Sequence, residues 1–189
     1  MKLGLVPNIL RWILKGTNRI GVLNGIQVTR ACQKTIVGGA CAAEDVISES
    51  TTAGTHWVWS DVVRVKGGGG YITKAQVIIQ TTALTPRITI FLYSKPPADI
   101  TTVLNDNAAN VSPTLGELPY YLDQIDIPAC GDLGGMSIAT ATPSTSGNLP
   151  LPFTCDKATK SLYGIVVTRD AVTPGAADKM EIRLTIDQY

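Results

Sequence analysis

The sequence predicts an all-β fold: an antiparallel β-sandwich, jelly-roll-like, with an extended N-terminal arm. Three observations point there. After Trp57 several stretches alternate apolar and polar residues with period two. Glycine and proline, 18 and 11 in 189 residues, break these stretches at short intervals. No part of that region holds a 3.6-residue period long enough for a substantial helix, so about seven or eight short strands remain.

Residues 1–55 read as the arm. Gly16, Gly21, Gly25 and the tract "VGGACAAEDVISESTTAGT" leave weak periodicity. One short helix is predicted over residues 9–14, where Ile9, Leu10, Ile13 and Leu14 share a face. Too few large apolar residues are present for the arm to fold alone. It either docks on the body or packs on a neighbouring subunit, and Trp12 and Ile13 are its candidate partner contacts. Lys2 before an apolar stretch resembles the start of a secretory leader. Pro7, Asn8 and Arg11 interrupt that stretch, however, and no clean small-x-small site follows. No leader is expected, and no apolar run approaches the roughly 18 residues of a membrane span.

Residues 56–189 read as the sandwich body. "HWVWSDVVRVK" and "YITKAQVIIQ" flank the glycines at 67–70, which predicts a hairpin. In the second stretch Tyr71, Ala75, Val77 and Ile79 fall on one face. "RITIFLYS" continues the pattern, with Ile88, Ile90 and Leu92 on one face and Phe91 on the other, so that other face is not fully wet. Short strands follow around residues 121–127 and 149–154. "SLYGIVVTRD" and "MEIRLTIDQY" read as a final pair joined through Pro174-Gly175, with Met180, Ile182, Leu184 and Ile186 inward.

Sixteen cations balance fifteen anions, for a net charge of +1. A nucleic-acid binder usually carries a basic excess, so no nucleic-acid partner is expected, and no membrane partner either. The even set Cys32, Cys41, Cys130 and Cys155 permits two bridges, a small loop from the first two and a long one from the others. The spacing matches no zinc or redox motif, and free thiols are the favoured reading.

Candidate chemistry is sparse. His56 is the only histidine, which rules out a histidine metal cluster within one chain. No GxSxG turn accompanies it, and it reads as structural. A phosphate-binding loop needs Lys-Ser/Thr after its last glycine, whereas Tyr71-Ile72-Thr73 follows here. Asp123 and Asp126 stand at odd spacing on a strand and face opposite sides. Asp99, Asp106 and Asp132, near Asn105, Asn107 and Asn110, could lend oxygens to an ion, but the EF-hand order is absent. The expectation is no catalytic residue, no cofactor, no metal and no enzyme. Trp57 and Trp59, two apart, share one strand face, while Tyr120 and Tyr121 face opposite sides. They read as core aromatics, or alternatively as a sugar-stacking platform.

The stretch "GGYITKAQVIIQTTALTPRITIFLYSKPPADITTVLNDNAANVSPTLGELPYYLDQIDIP" resembles a recurring segment of tailed-bacteriophage virion structural proteins. The pattern comprises a glycine-led strand, an R-x-x-x-x-L-Y/F strand, a Pro-bearing turn, a DNAA loop and a YLxxIDIP strand. It covers residues 67–128. The resemblance implies a capsid decoration (cement) or head-surface protein that binds the major capsid protein and acts as a homo-oligomer, a trimer by analogy with head three-fold points. It also implies location on the virion, after assembly in the host cytoplasm. The loop residues Asn105, Asp106 and Asn107 are then candidate partner contacts. A carbohydrate-binding or host-attachment module of a head or tail fibre is the alternative.

Overall fold

The computed structural model describes residues 26–97, 104–145 and 148–189. Among them it is all-β, an antiparallel sandwich of two sheets. Trp12, Ile13, the predicted helix at 9–14 and Asp99 lie outside the described residues. The larger sheet runs β1 (Ile26–Thr35), β10 (Lys179–Gln188), β3 (Gly69–Ile79), β7 (Ser137–Ala141), β6 (Gly131–Asp132), and β8 (Leu151–Thr154) also pairs with β3. The smaller sheet runs β2 (Trp57–Trp59), β9 (Leu162–Thr168), β4 (Ile88–Tyr93), β5 (Tyr121–Ile127).

The core fills the space between the sheets. Ile72, Ala75, Val77, Met180, Ile182, Leu184 and Ile186 meet Trp57, Trp59, Ile88, Ile90, Leu92, Ile125, Leu162 and Val166, all buried. The alternation read in β4 and β10 therefore marks real inward faces. Trp59 spans the layers, its indole N–H donating to the Ile182 carbonyl at 3.0 Å.

Three expectations need correction. First, residues 26–55 are not an arm. Residues 26–35 form a ten-residue edge strand in register with β10, and Ile36, Val46 and Ile47 are buried. The reason this strand escapes a hydrophobic scan lies in its half-buried positions, Val28, Arg30, Cys32 and Lys34, two of which are cations. Inward-pointing charges are a known way to blunt an edge strand against aggregation.

Second, residues 57–66 and 71–80 do not form a hairpin. β2 ends at Trp59 and pairs with β9 in the smaller sheet, while Gly69 and Gly70 already belong to β3 in the larger one. Third, the strands at 162–168 and 179–188 are real but do not pair. β9 lies in one sheet and β10 in the other, so their connector crosses between layers. Apolar alternation shows that a strand has a buried face but not which strand lies beside it.

The face assignment of β3 also shifts. Ala75, Val77 and Ile79 point inward as predicted, but Tyr71 points out and Ile72 in. A register shift in the pairing with β10, where Thr185 opposes Lys74 and Ile186 opposes Ile72, leaves Thr73 as the extra residue of a bulge. One added residue reverses the phase of everything before it.

A candidate binding surface on the smaller sheet

All six residues of β4 are buried, so the smaller sheet is covered on its outer face as well. There Phe91, Tyr93, Ile165 and Val167 form a second apolar cluster with Val46 and Leu104. The cover consists of residues 44–50 and 104–112 bonded to each other. Val46 N–H donates to Ala108 O at 2.8 Å, Asn107 N–H to Val46 O at 3.0 Å, and Asn110 N–H to Glu44 O at 2.9 Å.

Asn105, Asp106 and Asn107 are the hinge of this cover. Asn105 Oδ1 accepts from Gly54 N–H at 3.0 Å, and Asp106 Oδ1 accepts from Ser48 N–H at 2.8 Å. Asp106 is 5% exposed and Asn107 adopts φ 61°. Burial pushes the Asp106 carboxyl above the ordinary aspartate range. Within the chain Asn105 Oδ1 and Asp106 Oδ1 are committed to the covering layer, whereas Asp106 Oδ2 and Asn107 Oδ1 are buried without a hydrogen-bond partner. Asparagine and aspartate suit it because they tolerate left-handed backbone and cap local donors.

The end of the cover and the segment after it carry exposed apolar side chains. Val111, Leu115 and Leu118 are 57%, 87% and 49% exposed. Beneath them Glu117 is buried and pins the turn: Thr114 N–H donates to its Oε2 at 2.8 Å, and the Tyr93 hydroxyl lies 3.4 Å from the same oxygen. Glu117 O accepts from Tyr120 N–H and Tyr121 N–H at 3.0 and 2.9 Å. The result is a fixed lobe, residues 111–118, that displays three apolar side chains. Neither periodicity nor a motif marks them in the sequence, and only their exposure does. Isolated surface leucines are ordinary, but Leu115 and Leu118 flank the turn that Glu117 braces, with Val111 exposed a few residues before it.

At the other end of the sheet a groove of about 510 Å³ is lined by Glu44, Arg87, Thr89, Gln124, Asp126 and Arg169 among others. Its charges are already paired. Arg169 Nε donates to Thr89 Oγ1 at 2.7 Å, and its Nη1 bonds Glu44. Thr89 donates to Asp126 at 2.7 Å. Arg87 holds Asp170 through two guanidinium bonds at 3.0 and 2.7 Å, and that contact holds the Asp170 carboxyl down to about 2. The two arginines are thus structural ties across strand ends.

The remaining predicted residues fall as follows. Trp57 and Trp59 are 1% and 0% exposed, so they are core, and no sugar platform can be built on them. Tyr120 and Tyr121 are half-buried against the second cluster. His56 packs edge-on against Tyr163 at 5.2 Å, and burial, with Lys34 nearby, pulls its pKa down. Asp123 is half-buried and Asp126 exposed, the opposite faces the odd spacing demanded. Among the described residues no group of three or more His, Cys, Asp or Glu could hold a metal. All four cysteines are free, and burial pushes Cys41, Cys130 and Cys155 up to about 11.

A part-buried ion pair ties β1 to the sandwich edge. Lys34 Nζ meets Glu49 Oε2 at 2.5 Å, while Thr55 Oγ1 donates to Glu49 Oε1 at 2.5 Å. Lys34 also lies over the Trp57 ring at 5.3 Å. Burial opposes ionisation of Glu49, but hydrogen bonds from Lys34, Thr55 and Ser48 outweigh it and hold the carboxyl down to about 2. A depressed folded pKa means stabilisation that is complete above the ordinary glutamate range and is lost as pH falls toward 2. Glu49→Gln is therefore expected to flatten the acid limb of a urea-midpoint profile taken from about pH 5 down to about pH 2. An unchanged slope would show that the pair does not couple to folding.

Among the described residues the fold is thus a β-sandwich whose smaller sheet is covered on its outer face and whose 111–118 segment exposes apolar side chains. No protein-family model matches the chain, and a search of curated proteins returns no match. Among solved structures it is similar to the CBM22-1–GH10 modules of the Clostridium thermocellum xylanase 10B complexed with xylohexaose, at 12% identity and a TM-score of 0.32. That match covers 84% of this chain and 26% of the xylanase chain, about a quarter of its length. Nothing about function is transferred from a likeness of this size.

Proposed function

We propose that the chain is a structural protein of a tailed-phage virion, which attaches to the major capsid protein through the 111–118 lobe and decorates or reinforces the head shell. The observation that carries this reading is the lobe itself. Val111, Leu115 and Leu118 stand exposed on a turn fixed from below by Glu117. That turn lies inside residues 67–128, the stretch that resembles virion proteins.

The physics suits the role. A preorganised apolar knob loses little conformational entropy on docking, so a small contact can still yield useful affinity. Repetition over a lattice multiplies it, because linked sites raise the effective concentration. Balanced surface charge, +1 overall, lets copies sit side by side without mutual repulsion. The proposal includes a symmetric homo-oligomer, with a trimer matching the three-fold points of a head lattice.

The test pairs two measurements. Quantitative mass spectrometry of purified particles is expected to find this chain in high copy. With heads lacking the chain, the double variant Leu115→Asp, Leu118→Asp is expected to bind at least about 30-fold more weakly than the wild type, the loss typical of a hot spot. Both positions are solvent-facing, so circular dichroism should be unchanged. Absence from particles, or full binding by the double variant, defeats the reading.

A further inference from the structure

We infer that the open face of the larger sheet carries a binding site for a neutral glycan, centred on Tyr71 and completed by Tyr189, Asp187 and Gln27. The site is independent of the lobe and lies in the other sheet.

The two outer faces differ in their cover. On the smaller sheet the outer face lies under residues 44–50 and 104–112, whereas among the described residues of the larger sheet Gln27, Tyr71 and Lys179 are exposed and Asp187 is half-buried, with Thr185 buried between them. The register aligns Gln27, Asp187, Tyr71 and Pro152 in one row across four strands. Tyr71 and Tyr189 are 44% and 70% exposed, with ring centroids 5.6 Å apart and planes at 59°. They make an aromatic corner. Beside it Gln27 Nε2 donates to Asp187 Oδ1 at 3.0 Å. That bond orients a carboxylate, which accepts through two oxygens, and an amide, which both donates and accepts.

The β-bulge at Thr73 is the strongest sign that this corner is built. Without it Tyr71 would share the inward face of Ala75 and Val77 and enter the core. The extra residue re-aims the ring to the surface, and bulges often stand beside functional sites for that reason. Burying Tyr71 would have been the apolar default, since an exposed aromatic forgoes a large burial gain.

The ligand class follows from the chemistry of the row. A pyranose has an apolar C–H face that packs on an aromatic ring and a rim of hydroxyls that pair with carboxylates and amides. Small-molecule sites combine apolar lining with a few placed polar groups in the same way. Further along the face stand Thr29, whose hydroxyl lies 3.3 Å from that of the buried Thr185, then Gln76 and Arg183. Lys74, Lys179 and Arg183 against Glu181 and Asp187 leave little net charge, which disfavours a polyanion.

Calorimetric titration of the whole chain with cellohexaose, maltohexaose and chitohexaose tests this. At least one is expected to bind saturably, with the millimolar-range affinity of a shallow site. Tyr71→Ala and Asp187→Asn should each weaken it about tenfold. Leu115→Asp, Leu118→Asp should bind sugar as the wild type does, while Tyr71→Ala should keep its attachment to heads, so either proposal can fail alone. No saturable binding of any of the three, or a Tyr71→Ala protein that binds normally, overturns the inference.

Discussion

Replacing Trp59 by alanine is expected to cost about 3–5 kcal/mol, the range for removing a large aromatic from a packed core. Trp59 is 0% exposed and lies between the sheets. Its loss removes the apolar volume that joins them and leaves the Ile182 carbonyl without its indole donor. For a chain of this size each kcal/mol moves the melting temperature by about 2–4 °C, so a drop of about 6–20 °C is the outcome to measure by calorimetry. Gly164 tests the same contact from the opposite side. A Cβ there would lie 2.8 Å from Trp59 Cζ3 and 3.3 Å from the Phe91 carbonyl. Gly164→Ala should therefore destabilise by about 1–3 kcal/mol through overpacking. Trp59→Ala combined with Gly164→Ala should cost less than the sum, because the ring that the methyl strikes is gone. A melting temperature within about 2 °C of wild type for Trp59→Ala would mean that the sandwich is not closed around this ring.

Gly54→Ala should release the cover and leave the sandwich standing. A Cβ on Gly54 would sit 1.9 Å from the Leu104 carbonyl oxygen and 2.5 Å from its carbon. These are backbone atoms with no rotamer to change, so residues 104–112 must lift. Lifting breaks the bond from Gly54 N–H to Asn105 Oδ1 and uncovers Phe91 and Tyr93. The expected signature is rapid amide exchange at Val46, Asn107 and Asn110, with β3 and β10 still protected. Limited proteolysis should cut within residues 104–118 first. Uniform loss of protection across both sheets would show instead that the cover and the sandwich unfold as one unit.

The loop "LNDNAANVS" illustrates how far residue types can be read. Asn105, Asp106 and Asn107 stood out as candidate contacts, and in the folded chain Asn105 and Asp106 bond residues 48–54 of the same chain while Asn107 sits at φ 61°. The direction in which it faces was not legible, because the apolar surface it covers is the reverse of β4 and β9. Phe91 gave the single hint, an aromatic on the face that alternation called outer. The lobe was less legible still. Leu115 and Leu118 look like any loop leucines until Glu117 is seen buried beneath them. Tyr71 was assigned inward by a valid alternation that one bulged residue inverted.

The sequence by itself determined the all-β class, the inward faces of β4 and β10, and that Trp57 and Trp59 share one strand face, because side-chain direction alternates along a strand whatever its neighbours are. Only the tertiary structure decided which strands pair, that residues 26–55 belong to the sandwich, and that residues 44–50 and 104–112 seal the outer face of the smaller sheet. Those outcomes depend on hydrogen bonds and contacts between residues 50 to 160 positions apart, such as Gly54 with Asn105 and Gln27 with Asp187. A local pattern of polarity carries no information about a partner that distant.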